Sequence, residues 1–189
     1  MTMSRRAFSF ALIAASAALF PACLLIRTTE HRIKLNENGS GEAMMRLVDI
    51  RSDAPTDSGL ARDYSVMMAS IQKEGVTEFE RGGRKVISKQ FSVSGDTLTA
   101  EIIYTFPSIE QVEGLKTRED ELFFVVSDGR EIVKTNGKIQ SWVHDAQRIV
   151  WPRDAKRLMY QIREKTMPDG VSLAPLYLKY GFTQPEGAH

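Results

Sequence analysis

Residues 29 to 51 fold back on themselves by composition alone. Thr29, His31, Ile33 and Leu35 alternate with Glu30, Arg32, Lys34 and Asn36, the period-two pattern of a strand with one buried face. Asn38-Gly39-Ser40-Gly41 then supplies residues that tolerate positive φ, so a tight reversal is expected, with Glu42 to Arg51 as the returning strand. The pattern recurs. Leu98, Ala100, Ile102, Tyr104 and Phe106 alternate with polar residues, and Ser94-Gly95-Asp96 joins them to Lys85–Val93 as a second hairpin. Glu121 to Val126 is apolar on both faces and reads as an inner strand. Asp128-Gly129 precedes a strand over Glu131 to Lys134, and Asn136-Gly137 marks a further reversal.

Helical periodicity is confined to fewer places. Leu60, Tyr64, Met67, Met68 and Ile71 recur at helical spacing within Gly59 to Glu74; Asp57 or Ser58 can cap that helix and Gly75 can end it. Asp154 to Lys165 reads two ways. Ala155, Leu158, Met159 and Ile162 fit a helix over 155–165, whereas Leu158, Tyr160 and Ile162 fit a strand; the helix is the preferred reading. The expectation is an α+β domain: a mostly antiparallel sheet of about six to eight strands, with the helix of residues 59–74 packed on it.

The first 26 residues belong to a different category. Arg5-Arg6 precede an uncharged, mostly apolar run from Phe8 to Ile26 that holds the single cysteine, Cys23. A basic start, an apolar middle and small residues near the end are the parts of an export signal, to be left out of the fold. Ser4-Arg5-Arg6-Ala7-Phe8 resembles the core of the twin-arginine signal family, although Ser9-Phe10 stand where that pattern continues with Leu-Lys. Phe20-Pro21-Ala22-Cys23 resembles the lipobox of bacterial lipoproteins, in which the cysteine is acylated and becomes the new N-terminus. Ala22 and Cys23 fit; Phe20 and Pro21 depart from the usual aliphatic and small residues. Two other endings stay open: cleavage after Ala15-Ser16-Ala17, and an uncleaved anchor, since Phe8 to Ile26 is long enough to span a bilayer.

On the lipoprotein reading the chain divides into a signal peptide (1–22), a lipidated N-terminus with a short tether (23–32), one α+β domain (33–183) and a frayed tail (184–189). The tether's Leu24-Leu25-Ile26 either meets the lipid interface or completes a membrane helix. No cysteine follows residue 23, so disulfides do not stabilise the exported domain. Roughly 165 residues remain, enough for one core. Of 25 basic side chains, Arg5 and Arg6 leave with the signal; 23 then face 24 acidic ones, a net charge of −1. Such a domain has no field to gather phosphates, which disfavours nucleic acid as a partner.

Ile33, Leu35 and the Gly39-Ser40-Gly41 turn, following a signal that ends in Cys23, resemble the LppM-like class of envelope lipoproteins over about the first 30 residues of the domain. That resemblance implies a cell-envelope domain, one that handles lipids, with no enzymatic residues to carry over.

Catalytic signals are sparse. His31, His144 and His189 lie far apart without ligand spacing, so no metal site is expected, nor any cofactor. Trp142-Val143-His144-Asp145 puts an imidazole beside a carboxylate, but neighbours on a strand face opposite ways and no serine occupies a nucleophile elbow. Trp142, Trp151 and Tyr160 are read either as core or as an apolar groove for a lipid chain or a partner's hydrophobic segment. Tyr177, Tyr180 and Phe182 form a second aromatic cluster.

The sequence therefore points to a membrane-anchored, non-catalytic binding or structural domain of the bacterial envelope, facing periplasm or exterior. Arg5 and Arg6 serve export, Cys23 carries the lipid, and the partner is an envelope protein or a lipid. A lipid carrier with an apolar cavity beneath the 59–74 helix, and a hydrolase using His144, are the alternatives.

Overall fold

A computed structural model describes residues 24–141 and 146–181. The signal segment with Arg5, Arg6 and Cys23, the Trp142–Asp145 stretch, and Phe182 with the tail lie outside them.

The elements run β1 (Leu24–Leu35), β2 (Gly41–Ser52), α1 (Asp57–Ile71), α2 (Lys73–Glu80), β3 (Lys85–Ser94), β4 (Thr97–Phe106), β5 (Leu115–Arg118), β6 (Glu121–Val126), β7 (Arg130–Thr135), β8 (Lys138–Ser141), β9 (Gln147–Pro152), β10 (Arg157–Glu164), β11 (Val171–Ser172) and α3 (Ala174–Tyr180). Seven strands form one sheet in the order β3-β4-β2-β1-β10-β7, with β11 paired to β2; four form a second, β5-β6-β9-β8. The architecture is α+β and the pairings are antiparallel, with the strands divided between two sheets.

Register explains how one core serves both sheets. Tyr160, His31, Met45, Ile102 and Lys89 are cross-strand partners in a row spanning five strands; Leu158, Ile33, Ala43, Tyr104 and Val86 make the next row. Partners across an antiparallel sheet project from the same face, so this face is continuous. Its β2-β4-β3 half is covered by helices: Phe79 of α2 meets the Tyr104 ring edge-on at 5.0 Å and Tyr177 of α3 meets Phe91 at 5.2 Å. Its β10 side is covered by the small sheet, whose Phe124 stacks on Tyr160 at 4.7 Å. The buried side chains from both coverings join in one cluster.

Both sequence-derived hairpins are present, as β1-β2 and β3-β4. Within β2 the alternation changes phase. Ala43, Met45 and Leu47 are buried, and then Ile50 and Ser52 are. The switch falls on Asp49, whose φ is 62°, a left-handed conformation that Asp tolerates better than most residues. Its carboxylate accepts from Arg27 Nε at 2.6 Å and Arg51 Nε at 2.7 Å, which holds the kink. Downstream of it, Ser52 turns inward and donates to Asp63 of α1 at 2.5 Å.

Three sequence expectations are corrected. The proposed tether 23–32 is ordered strand from residue 24: β1 pairs with β2 from Leu24 onward and with β10 from Thr28. Its polar residues mark a strand with one outward face rather than a linker, and Leu24-Leu25-Ile26 are neither part of a helix nor loose chain. The expected helix over 59–74 begins earlier and breaks sooner, with α1 capped by Thr56 Oγ1 accepting from the Gly59 N–H at 3.2 Å. It ends at Ile71, and Gly75 lies inside α2 instead of terminating α1.

The third correction is the helix over 155–165, which is strand β10. Leu158, Tyr160 and Ile162 are buried by alternation while Met159 faces the other side, and β1 and β7 supply hydrogen-bonding partners on both edges. Tertiary pairing decides a segment whose apolar positions fit both periods.

Gly75 also shows how tightly the helices pack. A Cβ there would run into the Ser70 backbone, so the turn from α1 into α2 requires the smallest residue. Gly75→Ala is expected to destabilise by ~2 kcal/mol through forced overpacking, read as a lower urea midpoint at unchanged slope. Gly82→Ala, where the nearest atom is the Arg84 side chain at 3.8 Å, should stay within about 0.5 kcal/mol.

Candidate functional site

The aromatic residues marked as a groove meet in the interior. Trp151 and Tyr160 lie 5.9 Å apart between centroids, 2% and 1% exposed. Tyr160 is enclosed by His31, stacked at 4.8 Å, and by Phe124. Trp151 Nε1 donates to Asn136 Oδ1 at 2.8 Å, the oxygen that also accepts from the Met159 N–H at 2.8 Å, while Asn136 Nδ2 donates to the Arg157 carbonyl at 2.9 Å. Asn136 thus pins β9 to β10 at the crossing between the sheets. These two rings are packing groups, and the groove reading fails for them because both are buried; Trp142 lies outside the described residues.

The core carries polar groups. Among the described residues His31 Nδ1, Tyr160 Oη and, elsewhere, Gln111 Oε1 are buried without hydrogen-bond partners, each costing free energy relative to a solvated state. Burial lowers the His31 pKa to about 4 and pushes the Tyr160 phenol well above its ordinary range, with the Tyr104 and Glu113 charges adding to the latter. Glu113, in the segment between β4 and β5, is raised by burial and partly offset by the Arg84 guanidinium. Burial also carries Tyr104 up to about 12. Arg84 lies 3.8 Å over the Phe79 ring and donates through Nε to the Phe79 carbonyl at 2.9 Å. This seam runs where the helical covering meets the small sheet. At neutral pH His31 and both tyrosines are uncharged.

An accessible site lies at one end of the molecule. A cleft of about 640 Å³ opens between three turns: Asn36–Gly39 joining β1 to β2, Asp120 joining β5 to β6, and Pro152–Lys156 joining β9 to β10. Leu35, Ile109 and Leu122 form its apolar floor. Backbone hydrogen bonds lock the turns together, from Leu35 N–H to the Lys156 carbonyl and from Arg153 N–H to the Asp120 carbonyl, both 2.9 Å. Asn38 Oδ1 accepts from Ser40 N at 3.1 Å and Ser40 Oγ at 2.7 Å, which rigidifies the first turn. Glu37, Asp120, Asp154, Arg153 and Lys156 line the rim, all exposed. A volume of this order accommodates a ligand of drug or oligosaccharide size, and the rim suits recognition by hydrogen bonds and ion pairs of both signs.

Sequence reasoning missed this cleft because its parts are contributed by turns scattered between residues 36 and 156 of the chain. Turn composition was its only trace. Beneath the helices, crevices beside Ile71 and Phe79 measure about 10 and 20 Å³. His144 and Asp145 lie outside the described residues, among which no cluster of three or more His, Cys, Asp or Glu could hold a metal. Comparison with family models, with curated proteins and with solved structures finds no match.

The buried imidazole has a measurable consequence. In the unfolded chain a histidine binds its proton near pH 6.5, whereas in the fold His31 stays neutral down to about pH 4. Its contribution to stability is therefore complete above pH 6.5 and declines as pH falls toward 4, by up to ~3 kcal/mol. Glu113, raised in the fold, acts in the opposite sense but equally in wild type and variant. Denaturant titrations from pH 7.5 to 4.5 should show wild type losing stability relative to His31→Phe below pH 6.5; parallel curves would contradict the burial argument.

Proposed function

We propose that the chain is a membrane-tethered, non-catalytic binding domain of the bacterial envelope. Arg5 and Arg6 direct export, Cys23 is the acylated N-terminus of the mature protein, and the end cleft is the recognition surface for an envelope protein or a polar ligand. The observation that carries the reading is the placement of the one cysteine: Cys23 follows Ala22 late in the apolar Phe8–Ile26 run behind Arg5-Arg6, and the next residue, Leu24, is already paired in the sheet.

The rest is compatible in physical terms. Two or three acyl chains on one residue give durable anchoring where a single chain binds reversibly. Among the described residues no helix is long and apolar enough to cross a membrane. The net charge of −1 on the mature chain gives no electrostatic basis for nucleic acid. The cleft's exposed carboxylates, guanidinium and ammonium favour a ligand held by polar contacts over one held by an apolar cavity.

Intact mass and membrane fractionation of wild type and Cys23→Ala test the anchor. Wild type should begin at Cys23, carry acyl groups and remain with membranes; Cys23→Ala should lack acyl mass. Wild-type protein with the mass of the whole unmodified chain overturns the proposal.

A further inference from the structure

β1 leaves no room for a flexible spacer, and that sets how the domain meets its membrane. Leu24 already pairs with Ser52, one peptide step, about 3.8 Å, from Cys23. We infer that the Leu24 end of the large sheet is a membrane-contact surface, resting on the lipid headgroups with Leu24, Leu25 and Val171 entering the interface. This rests on the lipoprotein reading of Cys23 and gives it an orientation.

The tip has the required chemistry. Ser52 is paired with Leu24 on one side and Val171 on the other, so the two apolar residues stand about 10 Å apart across the sheet end. Val171 is one of the few large apolar residues left exposed, at 52%. Between them Leu25 presses on Gly170, where an added Cβ would come within 2.8 Å of Leu25 Cδ1. Leu24, Leu25, Gly170 and Val171 therefore cluster at one end of the sheet, with Leu24 and Val171 in one cross-strand row and Leu25, beside Gly170, on the opposite face. This end is also braced, since Arg51 Nη1 donates to the Gly170 carbonyl at 3.1 Å while Arg51 Nε and Arg27 Nε share the Asp49 carboxylate. Arg27, its side chain half exposed, lies about 10 Å up the strand from Leu24, the depth at which a guanidinium beside an inserted apolar tip meets lipid phosphates.

The occupant follows from chain continuity. An acylated Cys23 places the bilayer surface at this end, so any other partner would compete with lipid for the same volume. The opposite end of β1, eleven residues on at Leu35, lies about 36 Å away and borders the cleft, which is thereby turned from the membrane.

The test uses the full chain expressed with its signal, purified with its lipid, and reconstituted in phosphatidylethanolamine–phosphatidylglycerol vesicles. Single cysteines replace exposed residues at the two ends, Val171→Cys and Glu37→Cys, and carry an environment-sensitive fluorophore; acylated Cys23 does not react. Spin-labelled lipids should quench the fluorophore at 171 several-fold more than that at 37, with a blue-shifted emission at 171 only. Equal quenching at the two positions, with acylation confirmed by mass, overturns the orientation and leaves the lipoprotein reading intact. A mass without acyl groups overturns both.

Discussion

The pairing of β1 along both of its edges is the constraint from which the rest follows. With β2 on one side and β10 on the other, β1 sits inside the seven-stranded sheet, and its buried residues, His31, Ile33 and Leu35, stand at the boundary between two coverings. A sheet face this wide exposes more apolar surface than one short helix pair can cover. The helices α1 and α2 cover the β2-β4-β3 half, and the four-stranded sheet completes the other through Phe124, Trp151 and Tyr160. Aromatic rings suit such a junction because each removes a large area from water and still has a preferred geometry.

A junction between unlike layers is also where packing is hardest to complete, and polar atoms collect there. Among the described residues, His31 Nδ1 and Tyr160 Oη, whose rings stack, lack partners within it. Two adjacent unsatisfied groups constitute a concentrated local cost. The same burial holds His31 neutral at physiological pH. Polar character in a core is thus weak evidence for catalysis unless solvent or substrate can reach it.

How much of this was legible in the sequence varies by element for physical reasons. The hairpins at 29–51 and 85–106 were readable because period-two alternation meets glycine turns, both local properties. Asp128-Gly129 and Asn136-Gly137 were readable as turns, but a turn does not say which sheet its second strand joins; β7 left the small sheet's β6 to pair with β10. Residues 157–164 carried apolar positions compatible with helix and strand, and only the partners on both edges decided. Arg27 to Arg32 looked like a linker because charge on an outward face resembles charge in a loop. The phase change at Asp49 had no signal beyond a residue type that tolerates positive φ. At the candidate site the sequence pointed to Trp151 and Tyr160, which are core, and passed over Glu37, Asp120 and Arg153, because a cleft built from three turns exists only after the strands between them have found their register.

That dependence has a functional side. A recognition surface on turns is as precise as the scaffold that fixes them, and here each turn terminates a strand anchored in a shared core. β1 touches both ends: on the proposed reading its first described residue follows the acylated cysteine, and its last, Leu35, lies in the floor of the cleft. A strand bonded on both edges resists bending far better than a linker does. A domain so built would hold its cleft at a set height and direction above the lipid surface, so that binding would need no loss of tether freedom beyond what the fold has already removed. If Cys23 is the anchor as proposed, rigidity between anchor and cleft, more than any single side chain, would separate this architecture from a domain on a flexible leash.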